Sequence, residues 1–593
     1  MSGGGIAEAF LGVERSLSGR RWKARASDDR AGLTLSQRLG LPEIVGRLLA
    51  ARGIDVESAD RHLNPTLRDH LPDPSLFRDM DRAAERLARA VRDGELIAIF
   101  GDYDVDGATS SALLRRFFEA AGARVVVYIP DRMKEGYGPN APALLKLKRD
   151  GAGVAITVDC GTTAHDPLAA AAEAGLDVIV VDHHVAEPLL PRAFAVVNPN
   201  RIDESGEHGQ LAAVGVAFML IVAVNRALRK DNWYVGRVAP DLMRWLDLVA
   251  LGTVCDVVPL TGINRALVAQ GLKVLQRRGN LGIAALSDCA GVGERIDCYH
   301  VGFVLGPRVN AGGRVGRSDL GTRLLASEDE IEVRTLAAEL HKLNAERRDI
   351  EAGVLEAAIE QAERHASCPI ILVAAETWHP GVIGIVASRL KDRYNRPACV
   401  IALADGLGKG SGRSIPGLAL GAAVIAARQA GLLISGGGHA MAAGFTVEEG
   451  RIDALRDFFA ARMADLAIET GLVPELSIDG ALSPAAATLE FVGLVDRLGP
   501  FGAGNSEPRF VLPQARIVRA DIVGGQHVRV VLSDGAGQSR LKAIAFRSLD
   551  GELGAALLNG QGRSFHIAGH LRSDTWQGRD GVQLFIDDAA VPA

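Results

Sequence analysis

Four short stretches of this chain carry the carboxylates and imidazoles from which a metal centre can be built. Val180-Val181 runs into Asp182-His183-His184. Ile97-Ala98-Ile99-Phe100 runs into Gly101-Asp102-Tyr103-Asp104-Val105-Asp106-Gly107. Val154 to Val158 runs into Asp159-Cys160-Gly161, and the apolar segment Leu246 to Val254 runs into Cys255-Asp256. Each reads as a buried strand that delivers polar groups at its carboxyl end. In open parallel sheets ligands bind there. A lone Asp-His-His is a weak signal, because histidines often sit satisfied beside a core. Four apolar runs ending alike describe one converging site.

Asp104 and Asp106 stand at i and i+2 in a turn flanked by Gly101 and Gly107, whose freedom lets the backbone bend tightly. The ordinary alternative is an acidic surface turn in which Asp106 caps a helix. Taken with Asp159, His183 and Asp256, metal binding is the better reading. Mostly oxygen donors with one or two imidazoles suit Mn²⁺ or Mg²⁺ rather than zinc or copper. There are ligands enough for two ions, with one carboxylate bridging. Such a pair activates water and stabilises in-line displacement at phosphorus.

Basic and glycine-rich stretches extend the site. Pro307-Arg308-Val309-Asn310-Ala311-Gly312-Gly313-Arg314 offers two guanidinium groups, and Gly410-Ser411-Gly412-Arg413-Ser414 offers another. Arginine forks suit phosphate oxygens. Ser435-Gly436-Gly437-Gly438-His439 reads as a loop whose backbone amides cradle an anion. Each alone is as compatible with a tight turn; together they describe a phosphate track leading away from the metals.

What must position these groups is an alternating α/β framework. From about 80 to 320, strand-like runs (Glu95 to Phe100, Val125 to Ile129, Val154 to Val158, Val178 to Val181) alternate with helical patterns such as Met80 to Val91 and Ala108 to Ala121. This βα repeat predicts a doubly wound parallel sheet within 76–325, after a helical lead-in over 1–75. Ser327 to Gln361 is charged, with Ile331, Leu336, Leu340, Leu343, Ile350, Val354 and Ile359 at helical spacing. It predicts a linking helix within 326–365, followed by a second α/β block over 366–470. Across 471–593, five short alternating runs (Gln514 to Val518, His527 to Ser533, Leu541 to Phe546, Ser564 to His570, Gly581 to Ile586) predict a small barrel of OB type.

Composition bounds the rest. At about 150 residues per domain, 593 residues allow three or four. The net charge of −6 carries no nucleic-acid signature, but it speaks to solubility and steering rather than to a local groove. The cysteines Cys160, Cys255, Cys289, Cys298, Cys368 and Cys399 form no Cys-x-x-Cys pair, which argues against a zinc ribbon and for reduced thiols in a cytoplasmic protein. Met1 to Gly5 lacks a basic-then-apolar signal pattern. The longest uncharged apolar run, Leu211 to Val224, falls short of the ~20 residues that span a bilayer and reads as a buried helix. No membrane partner is expected.

The set Asp104-x-Asp106, Asp159, Asp182-His183-His184 and Asp256 resembles the DHH phosphoesterase superfamily. Trp378-His379-Pro380-Gly381-Val382-Ile383-Gly384 and Gly436-Gly437-Gly438-His439 resemble its associated second domain. Within the superfamily, Gly101 to Gly107, Glu135-Gly136-Tyr137-Gly138, Leu251 to Leu260, Pro307 to Arg314 and Leu498-Gly499-Pro500-Phe501-Gly502-Ala503-Gly504-Asn505 resemble the RecJ exonucleases, from about residue 40 onward. The resemblance implies a multidomain α/β protein with a C-terminal OB-fold domain binding nucleic acid. It implies a metal-dependent exonuclease that releases 5′-mononucleotides 5′→3′ from single-stranded DNA in repair and recombination. Asp104, Asp106, Asp159, His183 and Asp256 would be metal ligands, with Asp159 the bridge. Asp182 would orient an imidazole. His184 would face the substrate phosphate, and Arg308, Asn310 and Arg314 would join it in catalysis. Ser411, Arg413, Gly437, Gly438 and His439 would receive the 5′-terminal phosphate.

One position departs from the superfamily. Where many small-molecule members have a histidine ligand, this chain has Phe100, so Asp102 or water must complete that ion's shell. Arg509, Arg516, Arg519, Arg529 and Lys542 are candidate barrel contacts to the strand. Single-strand-binding protein and a helicase are the further partners such a role implies. Two rivals are a phosphodiesterase of short oligonucleotides or cyclic dinucleotides, and an inactive replication scaffold. The added barrel argues against the first. The complete acidic set argues against the second, because buried carboxylates repel one another without metal.

Overall fold

The computed structural model describes residues 8–592 apart from 133, 294, 471–473, 536 and 575–580. Met1 to Gly5, and residue 471 where the barrel domain was expected to begin, lie outside the described residues. The chain divides into two compact units. One holds residues 71–258 and 267–472, the other residues 1–70, 259–266 and 473–593.

In the first unit, β1 (Leu96–Gly101), β2 (Arg124–Tyr128), β3 (Ala152–Val158), β4 (Asp177–Val181) and β5 (Ala195–Val197) form a parallel sheet ordered β2-β1-β3-β4-β5. Ile97 to Phe100 and Val154 to Ile156 are wholly buried. Both faces of the sheet are covered, which is why these runs are continuously apolar instead of alternating. The chain leaves β1 toward β2 and reaches β3 on the opposite side. Strand order therefore reverses between β1 and β3, and the crevice at their carboxyl ends is where such sheets take ligands.

Helix α1 (Val105–Ala120) follows β1, and α2 (Ala213–Lys230) packs against it. The apolar run expected as a buried helix lies mostly in α2, where Ala213 to Ile221 are all buried. No described helix is long and apolar enough to cross a membrane. Leu246 to Val254, read above as a strand, is instead part of helix α3 (Leu246–Cys255). Leu246 to Thr253 are all buried. A short run that is apolar all round has no periodicity to separate strand from helix.

Helix α4 (Glu330–Arg364) has Asp329 as its N-cap, accepting from the amides of Ile331 and Glu332. Val333, Leu336, Ala337, Leu340, Val354, Ala358 and Ala362 are on its buried face. Ile331, expected on that face, is 80% exposed.

The second sheet contains β6 (Ile371–Ala375), β7 (Ala398–Ala404), β8 (Leu407–Arg413), β9 (Ser435–His439) and β10 (Ala442–Glu448). Its order is β9-β10-β8-β7-β6, with only β6 and β7 parallel. Two glycine-rich stretches expected as loops are therefore strands, β8 and β9. Close packing accounts for glycine in β8: a Cβ on Gly412 would lie 2.6 Å from a Leu420 methyl and 2.9 Å from Cys399 Sγ. Helices α5 (Ile383–Tyr394) and α6 (Leu420–Gln429) pack on this sheet.

In the second unit, β11 (Phe510–Val523), β12 (His527–Ser533), β13 (Arg540–Ala545), β14 (Ser564–Asp574) and β15 (Gly581–Ala590) run in the order β11-β12-β13-β15-β14. Strand β14 pairs back onto β11 and closes the barrel, with α7 (Glu552–Leu558) between β13 and β14. Residues 8–70, most of the helical lead-in expected over 1–75, share the barrel's unit and its core: Leu35, Val45, Leu48 and Leu49 cluster with Phe510, Ile517 and Val530. They also contribute a strand, Arg21–Ala24, parallel to Glu475–Ile478. From it the buried Trp22 indole donates to Asp588 at 3.0 Å.

The motif Leu498 to Asn505 is an internal fastening in this unit. Asn505 Nδ2 donates to the carbonyls of Leu498 and Pro500, and the buried Arg265 donates to those of His62, Arg497 and Leu498. A buried guanidinium that meets only carbonyls still satisfies its donors, which is the condition for burying it.

Candidate metal centre

Asp104 stands at the N-cap of α1, its carboxylate accepting from the amide of Gly107 at 3.1 Å. The capping role expected of Asp106 thus belongs to Asp104. Gly107 is needed there, because a Cβ would come within 2.5 Å of the Asp102 carbonyl oxygen. Asp106, in the first turn of α1, is 1% exposed and accepts from the first amides of α2, Ala213 at 2.6 Å and Val214 at 2.8 Å. Asp159 follows β3 with φ of 61°, an uncommon conformation outside glycine and one typical of functional positions. Asp256 is delivered by the C-terminus of α3 rather than by a strand end.

These groups converge. His183 Nε2 lies 3.3 Å from Asp159 Oδ1, 3.6 Å from Asp256 Oδ2 and 3.9 Å from Asp106 Oδ2. Ligand atoms of Asp106, His183 and Asp256 lie within 4.8 Å of one another. So do those of Asp102, Asp104 and Asp159, and those of Asp159, His183 and His184. Asp159 therefore joins both sides of the cluster. Phe100 is wholly buried, its ring stacked on Tyr128 at 5.4 Å, and Asp102 takes the place beside Asp104.

The electrostatics fit a divalent cation. Burial and then Asp104 push the Asp102 and Asp159 carboxyls well above the carboxylate range. The same causes push Asp106 up to about 7, and burial with Asp106 and Asp104 pushes Asp256 up to about 9. Asp102 Oδ1, Asp159 Oδ1 and Asp256 Oδ2 are buried with no hydrogen-bond partner among the described residues. Burial and the neighbouring His184 push His183 down to about 4, leaving it a neutral donor. Orphaned carboxylate oxygens around a neutral imidazole are the donor set of a hard divalent ion with one nitrogen ligand.

These shifts tie stability to pH and metal. Carboxyls whose folded pKa is raised stabilise the metal-free protein fully below about 4, their unfolded value, and lose that contribution as pH rises through about 7 to about 9. The metal-free melting temperature should fall from pH 6 to pH 8.5. Saturating Mg²⁺ should raise it more at pH 8.5 than at pH 6, because metal displaces protons. Differential scanning fluorimetry with and without Mg²⁺ reads both; an equal Mg²⁺ shift at the two pH values would mean that these carboxyls are not the ligands.

Asp182 joins none of these groups of ligand atoms. Its Oδ1 accepts from the amides of His183 (2.8 Å) and His184 (3.2 Å) and from His184 Nδ1 (2.7 Å), and its Oδ2 accepts from the Thr162 amide (3.0 Å). Burial would raise this carboxyl, but the hydrogen bonds hold it below the usual range. It orients His184 and raises that imidazole against the opposing effect of burial. Tyr137, given no role above, donates its hydroxyl to the Asp159 carbonyl at 3.0 Å and lies 3.4 Å from His184 Nε2.

Arg132 was also missed. Its guanidinium lies 5.0 Å from the Tyr103 ring centroid, and its field acts on Asp102 and Arg314. The residue sits just past the carboxyl end of β2, so the strand-end rule could have found it. Arg314 donates to the Gly381 carbonyl at 3.0 Å, and burial followed by Arg132 pushes it down to about 10. Arg308 points elsewhere, to the Val304 carbonyl (2.7 Å) and His341 Nδ1 (3.3 Å). Asn310 lies between the short helices that carry the two arginines.

Ser411 and Arg413 stand at i and i+2 on β8, with Arg413 Nη1 3.4 Å from Ser411 Oγ. Both face the start of α5: a Cβ on Gly384 would lie 3.0 Å from Ser411 Oγ and 3.4 Å from Arg413 Nη2. A guanidinium and a hydroxyl over the first turn of a 12-residue helix are the groups from which an anion site can be built. Across β10, register places Gly437 in the row of Ser411 and His439 in that of Arg413. Gly438 lies between those rows on β9, the edge strand, which leaves alternate amides unpaired by its own sheet.

Comparisons with known proteins agree with this architecture. Residues 96–253 match the DHH family, N-terminal domain; 368–465 match the DHHA1 domain; 478–588 match the RecJ OB domain. The single-stranded-DNA-specific exonuclease RecJ of Bacillus subtilis (strain 168) is 36% identical over 576 residues, covering 96% of this chain and 71% of that protein. The protein of the same name from Escherichia coli (strain K12) is 36% identical over 562 residues, covering 92% of this chain and 96% of that one. Among solved structures, RecJ from Thermus thermophilus in complex with Mn²⁺ superposes with a TM-score of 0.79 at 29% identity, over 96% of this chain and 80% of that one. Its complex with Mg²⁺ gives 0.73 at 27% identity, over 96% and 78%.

Proposed function

Because the chain belongs to the RecJ family of single-stranded-DNA-specific exonucleases, and is a divalent-metal-dependent exonuclease on single-stranded DNA, we propose that it removes 5′-mononucleotides 5′→3′ with two ions. The observation that carries the two-ion reading is Asp159, whose ligand atoms belong to both sides of the cluster at the point where strand order reverses. One ion would be held by Asp102, Asp104 and Asp159, the other by Asp106, His183, Asp256 and Asp159. When bound, such a pair supplies an acidified water and neutralises charge at the reacting phosphorus.

The chain's own groups do the rest. Asp182 holds His184 at Nδ1, so that Nε2 can donate a proton to a phosphate oxygen beside the Tyr137 hydroxyl. Arg314 and Arg132 offset the charge of the scissile phosphate. Ser411, Arg413 and the first amides of α5 receive the 5′-terminal phosphate, with Gly437, Gly438 and His439 along the same sheet. A fixed anchor for the 5′ end would set both polarity and a product one nucleotide long. The barrel would hold the trailing strand by stacking and phosphate contacts. A role in repair and recombination, in the cytoplasm, calls for a helicase and single-strand-binding protein as partners.

End-labelled substrates test this. A 5′-labelled single strand should give labelled mononucleotide as its first product. A 3′-labelled strand should shorten stepwise, with its label released last. Duplex and cyclic dinucleotides should survive. Release of the 3′ label first, or internal fragments, would reject the polarity.

A further inference from the structure

The barrel carries a concavity that the reading above leaves unused. Strands β13 and β15 pair in parallel as far as Ile544 and Phe585. Beyond that rung they diverge, and a cavity of about 550 Å³ opens at the fork, with Leu17, Phe546, Arg547, His570, Arg572 and Phe585 among its walls. The volume is within the range of small-molecule sites.

Its chemistry is two-sided. The Phe546 ring, 51% exposed, stands edge-on to Phe585 at 5.2 Å and to His527 at 5.1 Å. The Arg572 guanidinium lies 4.9 Å from the Phe585 ring centroid and pairs with Glu507 through two bonds of 3.0 and 2.7 Å. At the floor, His570 has Nδ1 2.8 Å from the Pro508 carbonyl and Nε2 2.9 Å from Asp587 Oδ2. Nε2 also lies 3.3 Å from the Arg509 guanidinium, at Nη2. Arg509 Nε donates to the same Asp587 oxygen at 2.7 Å. Asp587 is therefore shared by Arg509 and His570, and Arg509, expected above as a strand contact, is engaged at this floor. Arg547 adds an exposed guanidinium at the rim, its backbone held at φ of 49° with its amide bonded to His527 Nδ1 at 2.9 Å.

Aromatic walls with an exposed guanidinium at the rim fit a ligand that is flat and aromatic at one end and anionic at the other. A nucleotide is such a ligand, and stacking on a phenylalanine is indifferent to base identity. We propose that this fork binds one nucleotide of the held strand, its base against Phe546 and Phe585 and its phosphate toward Arg547. The proposal rests on the reading that the barrel grips single-stranded DNA, and locates part of that grip.

Full-length protein in EDTA, which prevents cleavage, is titrated with a fluorescent 30-nucleotide oligothymidylate. Phe546→Leu keeps an apolar side chain without a ring and should raise Kd about tenfold, within the range for loss of one base stack. Phe546→Trp should bind like the parent, and both variants should melt like it. Arg529→Ala, on β12 outside the pocket, reports the general grip. If Arg529→Ala weakens binding and Phe546→Leu does not, the barrel holds the strand and the pocket assignment is wrong. If neither does, the grip reading itself fails. Joint loss of melting temperature and binding in Phe546→Leu would make the ring a packing element only and overturn the proposal.

Discussion

Asp159→Asn should abolish hydrolysis of single-stranded DNA while leaving the fold intact. Loss of one preorganised electrostatic group in an active site costs about 10²–10³ in kcat. Because the lost group is the one proposed to serve both ions, a fall of about a thousandfold or more is expected. Asparagine is the better test residue than alanine. The position has φ of 61°, which asparagine tolerates and which costs alanine about 1–2 kcal/mol. Removing one charge from a buried cluster of carboxylates also relieves repulsion, so the metal-free variant should melt no lower than the parent at pH 8. Calorimetric titration should show fewer than two Mn²⁺ bound. Near-normal turnover in saturating Mn²⁺ would remove Asp159 from the bridge and the two-ion reading with it.

Arg413→Ala is expected to separate substrates by their 5′ ends. A hydrogen bond to a charged group is worth about 1.5–3 kcal/mol, or about ten- to 150-fold in kcat/KM. The loss should fall on 5′-phosphorylated strands and largely spare 5′-hydroxyl strands. Arg413→Lys should recover only part of it, because an ammonium lacks the planar fork. The side chain is half-buried and bonds to its neighbours Ser411 and Gly412, so its removal leaves no partner charge uncompensated. Equal losses on the two substrates would make Arg413 a structural residue or a contact to internal phosphates.

Much of the centre was legible before any coordinates. Asp104, Asp106, Asp159 and His183 follow apolar runs that must be strands or the turns after them, and a parallel sheet gathers its carboxyl ends on one side. The choice of a hard divalent ion followed from donor chemistry alone. The barrel was legible because its runs alternate with period two between turns.

Tertiary structure decided what periodicity and composition cannot carry. Asp256 reaches the cluster on a helix, because a run buried on every side has no face to betray its period. Glycine-rich segments proved to be strands β8 and β9, since glycine reports close packing as readily as a turn. Arg308 and Arg314 share a motif yet diverge, one to His341 and the other to the Gly381 carbonyl. Phe100 marks in the sequence a ligand that is missing; only the folded turn brings a ligand atom of Asp102 within 4.8 Å of those of Asp104 and Asp159. Leu35, Val45, Leu48 and Leu49 complete a core with strands that begin more than 400 positions later, and no local pattern encodes a partner at that distance. Strand, helix and ligand type are local properties of side chains and backbone. Which carboxylate faces which imidazole depends on long-range packing, and that exists only once the sheet has assembled.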